Sequence, residues 1–238
     1  MFKQVCHPQV NYLNNNVKNK SKYSKQTLDK TKSPLRINLG CGTTILEGFV
    51  NIDNSPSVFV QRIPGLKNLL YLLRIIDQKK FEREWPKDVI FNDALKELKK
   101  YPDSSVEEIF SSHFLEHLPL KKAILLLKQC KRVLSSKGKL RIVVPDLVFH
   151  AKYYLETVSS AEKVAHDRFL FEVAGAYLVD SRKGQNHYYI YDYWSLKDLL
   201  LEIGFTKVER LDFNKDINPD LYKIRDRLEE SLCIEASK

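Results

Sequence analysis

Residues 35–53 read LRINLGCGTTILEGFVNID, and this stretch restricts the fold more tightly than any other. Leu35, Ile37 and Leu39 alternate as a short strand should, and the run stops at Gly40-Cys41-Gly42. Two glycines one residue apart let the backbone turn sharply and come close to a ligand. A second strand signal, Phe49 to Ile52, ends on an acid, Asp53. In an α/β sheet, a glycine turn after one strand and a carboxylate at the tip of the next make a nucleoside site, because the carboxylate accepts both ribose hydroxyl hydrogens.

A dinucleotide would want a third glycine at position 45, which is Ile45, and an acid roughly 20 residues on. Asp53 comes 13 residues after Gly40, which is too early. S-adenosylmethionine has no pyrophosphate to seat and needs only the close turn and the ribose acid. The stretch resembles motif I of the class I S-adenosylmethionine-dependent methyltransferases, in the branch with LGCG, a short link containing GF, and NxD. Two later runs extend the resemblance, which, with the closing segment Arg227 to Ala236 as its antiparallel last strand, covers about residues 35–238. One is Ser111 to Leu118, close to SxHxLEHL; the other is RVLxxxGxLRIVVPD, from Arg132 to Asp146.

The resemblance implies an α/β fold: a Rossmann-like, seven-stranded, mostly parallel sheet with an antiparallel last strand and helices on both faces. It implies S-adenosyl-L-methionine as methyl donor, with Leu39, Gly40, Cys41 and Gly42 along its amino-acid part and Asp53 on the ribose. Asn92, Asp93 and Ala94 would read the adenine, and His113 would border the methyl group. A hydroxyl acceptor also benefits from a base, for which His113 and Asp146 are the nearest candidates by motif position. Family members accompany sugar and polysaccharide enzymes, which makes a glycan or other small molecule the expected acceptor. The aromatic run from Asn186 to Trp194 would cover it, with His117, His187, Tyr188 and Tyr191 as candidate contacts.

Each of these residues has a plainer use. Asp93 and Asp146 are natural helix caps, Glu116 and His117 suit the start of a helix, and aromatics are more often core than contact. His113-Phe114-Leu115-Glu116-His117 also fits H-x-x-E-H, the inverted zinc-peptidase pattern, with both histidines on the metal and the glutamate as base. His113 falls at a strand end rather than on a helix, so no metal is expected. A module that binds S-adenosylmethionine without transferring anything stays open.

Six of the nine net positive charges lie in residues 1–34, an Asn/Lys/Ser-rich leader expected to be loosely docked. The remainder is an ordinary soluble domain. The basic residues between Lys121 and Arg141 lack a base-stacking module beside them, so nucleic acid is not the expected partner. Cys6, Cys41, Cys130 and Cys233 have no CxxC spacing, which points to a reducing cytoplasm. No apolar run would span a bilayer. Residues 55–88 read as a helical insertion whose leucines, between Pro64 and Ile76, pack on the domain, roof the pocket or touch a membrane surface. Residues 147–194 read as a substrate cap with two helices. The short link between Gly42 and Asp53 leaves little room for a first helix.

Overall fold

The computed structural model describes residues 34–157, 187–212 and 230–238. Apart from Pro34, the basic leader lies outside these residues, as do the second helix of the expected cap, around Phe169 to Val173, and residues 227–229 of the closing segment.

Seven strands form one sheet: β1 (Arg36–Leu39), β2 (Val50–Asp53), β3 (Ile90–Phe91), β4 (Val106–Ser112), β5 (Leu134–Pro145), β6 (Lys207–Arg210) and β7 (Ser231–Ser237). Their order is β3-β2-β1-β4-β5-β7-β6. The first five neighbours pair in parallel, and β7 runs antiparallel to both β5 and β6. This bears out the Rossmann-like sheet expected from the sequence. The order reverses between β1 and β4, so the crevice outside the carboxyl ends of those two strands is where such a sheet holds a ligand.

Period-two alternation sends Ile37, Leu39, Ile52, Ile109, Ile142, Val144 and Ile234 into the main core. On that side lie α4 (Ala94–Leu98), α5 (Leu120–Val133) and α7 (Tyr193–Ile203). Each such fully buried aliphatic side chain contributes roughly 1.5–3 kcal/mol. Phe110, Val143 and Cys233 point the other way and meet Leu46 and Phe49 of the link after β1. On α5 the buried residues are Ala123, Leu126, Leu127, Cys130 and Val133, whereas Leu125 is exposed.

The link between β1 and β2 forms no helix, as its length foretold. Its shape is set instead by a buried pair of amides. Asn38 Nδ2 donates to Asn51 Oδ1 at 2.8 Å, and the same oxygen accepts from Leu46 N at 2.9 Å. Asn51 Nδ2 donates to Leu46 O and Phe49 O at 3.1 and 3.0 Å. Asn51 thus satisfies backbone groups that a helix would have satisfied by itself.

α5 stops at Val133, and Leu134 is already extended, with φ −62° and ψ 138°. Gly138 lies in an irregularity of β5, between the pairings Val106↔Leu134 and Glu108↔Lys139. A Cβ there would come within 3.0 Å of Val106 O. The leucines of the insertion stay outside the buried core. The insertion holds α1 (Pro56–Arg62), α2 (Leu66–Leu72) and α3 (Gln78–Glu82), and α2 buries none of its residues. Leu72 is 78% exposed. Through α1 the insertion is nonetheless fastened to the glycine turn, where Val58, Trp85 and Val89 enclose Cys41. Gln61 adds two hydrogen bonds to the Trp85 backbone.

Candidate functional site

The carboxyl ends of β2, β1, β4 and β5 carry, side by side, Asp53, the glycine turn, His113 and Asp146. Gly40 and Gly42 both adopt left-handed backbone, at φ 65° and 56°. They differ in what surrounds them. A Cβ on Gly40 would lie 2.3 Å from the Phe114 ring, so the aromatic of the HFLEH run packs directly on the turn. A Cβ on Gly42 would meet nothing within 4 Å, leaving open space above the backbone. The turn is held by Gly40 N and Cys41 N, which donate to Ile52 O at 2.9 and 3.1 Å. Asp53 completes it, accepting from Gly42 N at 2.9 Å on one oxygen and from Ser55 N at 2.7 Å on the other. Four lone-pair positions on an ionised carboxylate leave capacity for further donors.

Leu39 contributes a core side chain, so only its backbone is available to a ligand. The Cys41 thiol is pushed up to about 12 by burial and then by the charge of Asp53, which makes it a packing group rather than a nucleophile. Asn92 N donates to Asp53 O at 3.2 Å, bringing the ends of β2 and β3 together. The Asn92 amide bridges Glu97 Oε2 at 2.5 Å and Asp93 N at 2.9 Å. Asp93 caps α4, accepting from Lys96 N at 3.0 Å, and Ala94 is the buried first residue of that helix.

His113 has φ 48°, a left-handed conformation that a residue with a side chain adopts at a cost. Its backbone N–H donates to Val143 O at 2.9 Å, its Nε2 lies 3.2 Å from Ser231 Oγ, and its Nδ1 lies 3.4 Å from Glu116 Oε1. Asp146 has one partner on each carboxylate oxygen. One oxygen accepts from Val148 N at 2.9 Å at the start of α6 (Leu147–Thr157), and the other pairs with Arg210 at 2.8 Å. Its geometry is that of a helix cap anchored to β6.

The acceptor-side candidates separate. The His117 and His187 rings meet edge to face with centroids 4.9 Å apart. Tyr188 is 60% exposed, while Tyr191 is 1% exposed and belongs to the core, its hydroxyl driven upward in pKa by burial and then by Tyr189 and Glu116. The loop that carries them is tied to the HFLEH turn by Tyr188 N, which donates to Glu116 O at 2.8 Å. Glu116 is fully buried, and neither of its carboxylate oxygens has a hydrogen-bond donor among the described residues. Phe114 and Ser231 were missed in the sequence. Phe114 was legible only as a motif spacer, and Ser231 reaches His113 across 118 residues of chain.

No known family model matches the chain, and neither does any curated protein. Solved structures that resemble it include a SAM-dependent methyltransferase from Archaeoglobus fulgidus, at 18% identity and a TM-score of 0.48, with 87% of each chain covered. A SAM-dependent methyltransferase from Thermotoga maritima, a possible histamine N-methyltransferase, matches at 14% and 0.44 over 87% of this chain and 83% of its own. A putative O-methyltransferase from Nostoc punctiforme matches at 12% and 0.46 over 87% of this chain and 53% of its own. Likenesses this distant carry no weight for the site, and the fold rests on the strand order itself. Among the described residues, no helix is long and apolar enough to cross a membrane.

Proposed function

We propose that this chain is an S-adenosylmethionine-dependent methyltransferase acting on an oxygen or nitrogen of a small-molecule or sugar-containing acceptor, in the cytoplasm. The observation that carries the reading is the pairing of an open left-handed Gly42 at the end of β1 with the Asp53 carboxylate at the end of β2, beside the point where the strand order reverses. The sulfonium donor supplies a methyl group that is electrophilic without further activation. The protein's task is then alignment.

In this reading the backbone of Leu39 to Gly42 runs along the amino-acid part of the donor. Asp53 accepts from the ribose, and Asn92, Asp93 and Ala94 border the adenine. His113 stands beside the transferred group and takes the acceptor's proton, its ring oriented by Ser231 and Glu116. Asp146 fixes α6 and β6 around the site. His117, His187 and Tyr188 face the acceptor.

Calorimetric titration with S-adenosylmethionine tests this directly. The wild-type chain is expected to bind in the micromolar range, and Asp53→Ala to bind at least about tenfold more weakly for the loss of a charged hydrogen-bonding pair. Equal binding by the two proteins, or none by the wild type, overturns the assignment. Mass spectrometry of the purified chain for carried-over S-adenosylmethionine or S-adenosylhomocysteine gives an independent answer.

A further inference from the structure

Three residues beside the proposed acceptor position form a cluster whose chemistry goes beyond aligning donor and acceptor. Glu116, His117 and His187 offer one carboxylate oxygen and two ring nitrogens, all within 4.8 Å of one another. Glu116 and His187 are buried, and His117 is partly open to solvent. The cluster is assembled from distant chain. Glu116 and His117 lie in the 3-10 turn Leu115–His117, and His187 is brought over by the hydrogen bonds of Tyr188 N and Tyr189 N to Glu116 O.

Glu116 is the second, independent observation. A carboxylate removed from water without donors is one of the costliest groups a protein can bury. Here neither oxygen receives a hydrogen bond among the described residues, and His113 Nδ1 stands 3.4 Å from Oε1. A cation between Glu116 and the two imidazoles compensates that carboxylate directly.

We infer that Glu116, His117 and His187 form a binding site for one divalent first-row transition cation, for which zinc is the natural probe. Two imidazoles with one carboxylate suit such an ion better than magnesium or calcium, which prefer oxygen throughout. A tetrahedral ion wants its ligand atoms roughly 3.4 Å apart, so the three side chains close in slightly when it binds. The ligand set differs from that of the zinc-peptidase pattern. His187 takes the place that pattern gives His113, and Glu116 serves as a ligand, not as a free base. Three protein ligands leave a coordination position open. Resting on the methyltransferase reading, the class of ligand for that position is a hydroxyl oxygen of the acceptor, held next to His113.

The test uses the full chain, stripped with chelator and titrated with zinc chloride alone, without S-adenosylmethionine. One zinc is expected to bind per chain. Glu116→Gln and His187→Ala are each expected to weaken binding by more than about tenfold, whereas His150→Ala, outside the cluster, leaves it unchanged. Cobalt(II) should give visible ligand-field absorption in the wild type that His187→Ala abolishes, which decides the matter even where Glu116→Gln fails to fold. Absence of stoichiometric zinc, or a cobalt spectrum indifferent to His187→Ala, overturns the inference. Zinc binding without S-adenosylmethionine binding would refute only the methyltransferase reading, and the reverse would refute only the metal site.

Discussion

His113 Nδ1 lies 3.4 Å from Glu116 Oε1, and the His113 backbone that carries the ring is left-handed, at φ 48°. Left-handed backbone disfavours any residue with a Cβ by roughly 1–2 kcal/mol, and a β-branched residue most of all. His113→Gly is therefore expected to unfold within about 1 kcal/mol of the wild type despite losing the ring's contacts, because the strain is relieved. His113→Val should cost about 2 kcal/mol more than His113→Gly. Urea denaturation of the two variants checks this, and equal stabilities would mean that the backbone there is not left-handed in solution.

The two glycines of the turn should respond to alanine in opposite ways. Gly40→Ala drives a methyl group into the Phe114 ring and is expected to destabilise by about 2–4 kcal/mol. Gly42→Ala meets nothing within 4 Å and should cost only about 1–2 kcal/mol, for the left-handed backbone. Its methyl group projects into the open space above the turn, so its larger effect should be on S-adenosylmethionine affinity. Thermal unfolding and calorimetry, run on both variants, separate the two outcomes.

Asn51→Ala takes a partner from Asn38 Nδ2, Leu46 N, Leu46 O and Phe49 O, but Asn38 Nδ2 keeps Thr44 O and Leu46 O keeps Phe49 N, so the loss falls on Leu46 N and Phe49 O. Depriving these two backbone groups of their partner is expected to cost about 2 kcal/mol. The link between β1 and β2 should loosen before the rest of the sheet does. Amide hydrogen exchange would report this as faster exchange at Leu46 than in β4, and uniform protection would contradict it.

Acid should weaken the far edge of the sheet. Burial acts to raise the Glu235 pKa, but hydrogen bonds and charge from Lys139 and Arg141 outweigh it and hold the group below its usual 4.5. The two bonds are 2.7 and 2.8 Å, and Arg141 also bonds Glu108 at 2.6 Å. A carboxyl whose folded pKa is depressed stabilises the protein above its unfolded value and loses that contribution as pH falls through the folded one. Denaturation midpoints should therefore drop as pH falls below about 4.5, and Glu235→Gln should flatten that part of the profile. An unchanged slope in Glu235→Gln would assign the acid sensitivity to other groups.

What was legible in the sequence follows from where each contact is made. The strand ends, the glycine turn and Asp53 are local, set by alternation and by residues that tolerate left-handed backbone. The buried face of α5 was not legible, because Leu125, Leu126 and Leu127 are consecutive and the pattern does not say which of them points inward. The meeting of His187 with Glu116 and His117 was also out of reach. It depends on backbone hydrogen bonds between segments some 70 residues apart, which leave no periodicity behind. Nor did the run of basic residues in α5 and β5 show its partners: Arg132, Lys139 and Arg141 are paired with Asp103, Glu235 and Glu108.

β7 lies between β5 and β6, so β6 has no place in the sheet until the segment after it has been inserted. A ribosome delivers these strands in the wrong order for simple outward growth. While residues 207–210 wait, the backbone edges of both β5 and β6 stay unpaired, and only the entry of residues 231–237 closes them together. Until residues 231–237 arrive, that unpaired backbone is the part of the sheet most open to pairing with another chain.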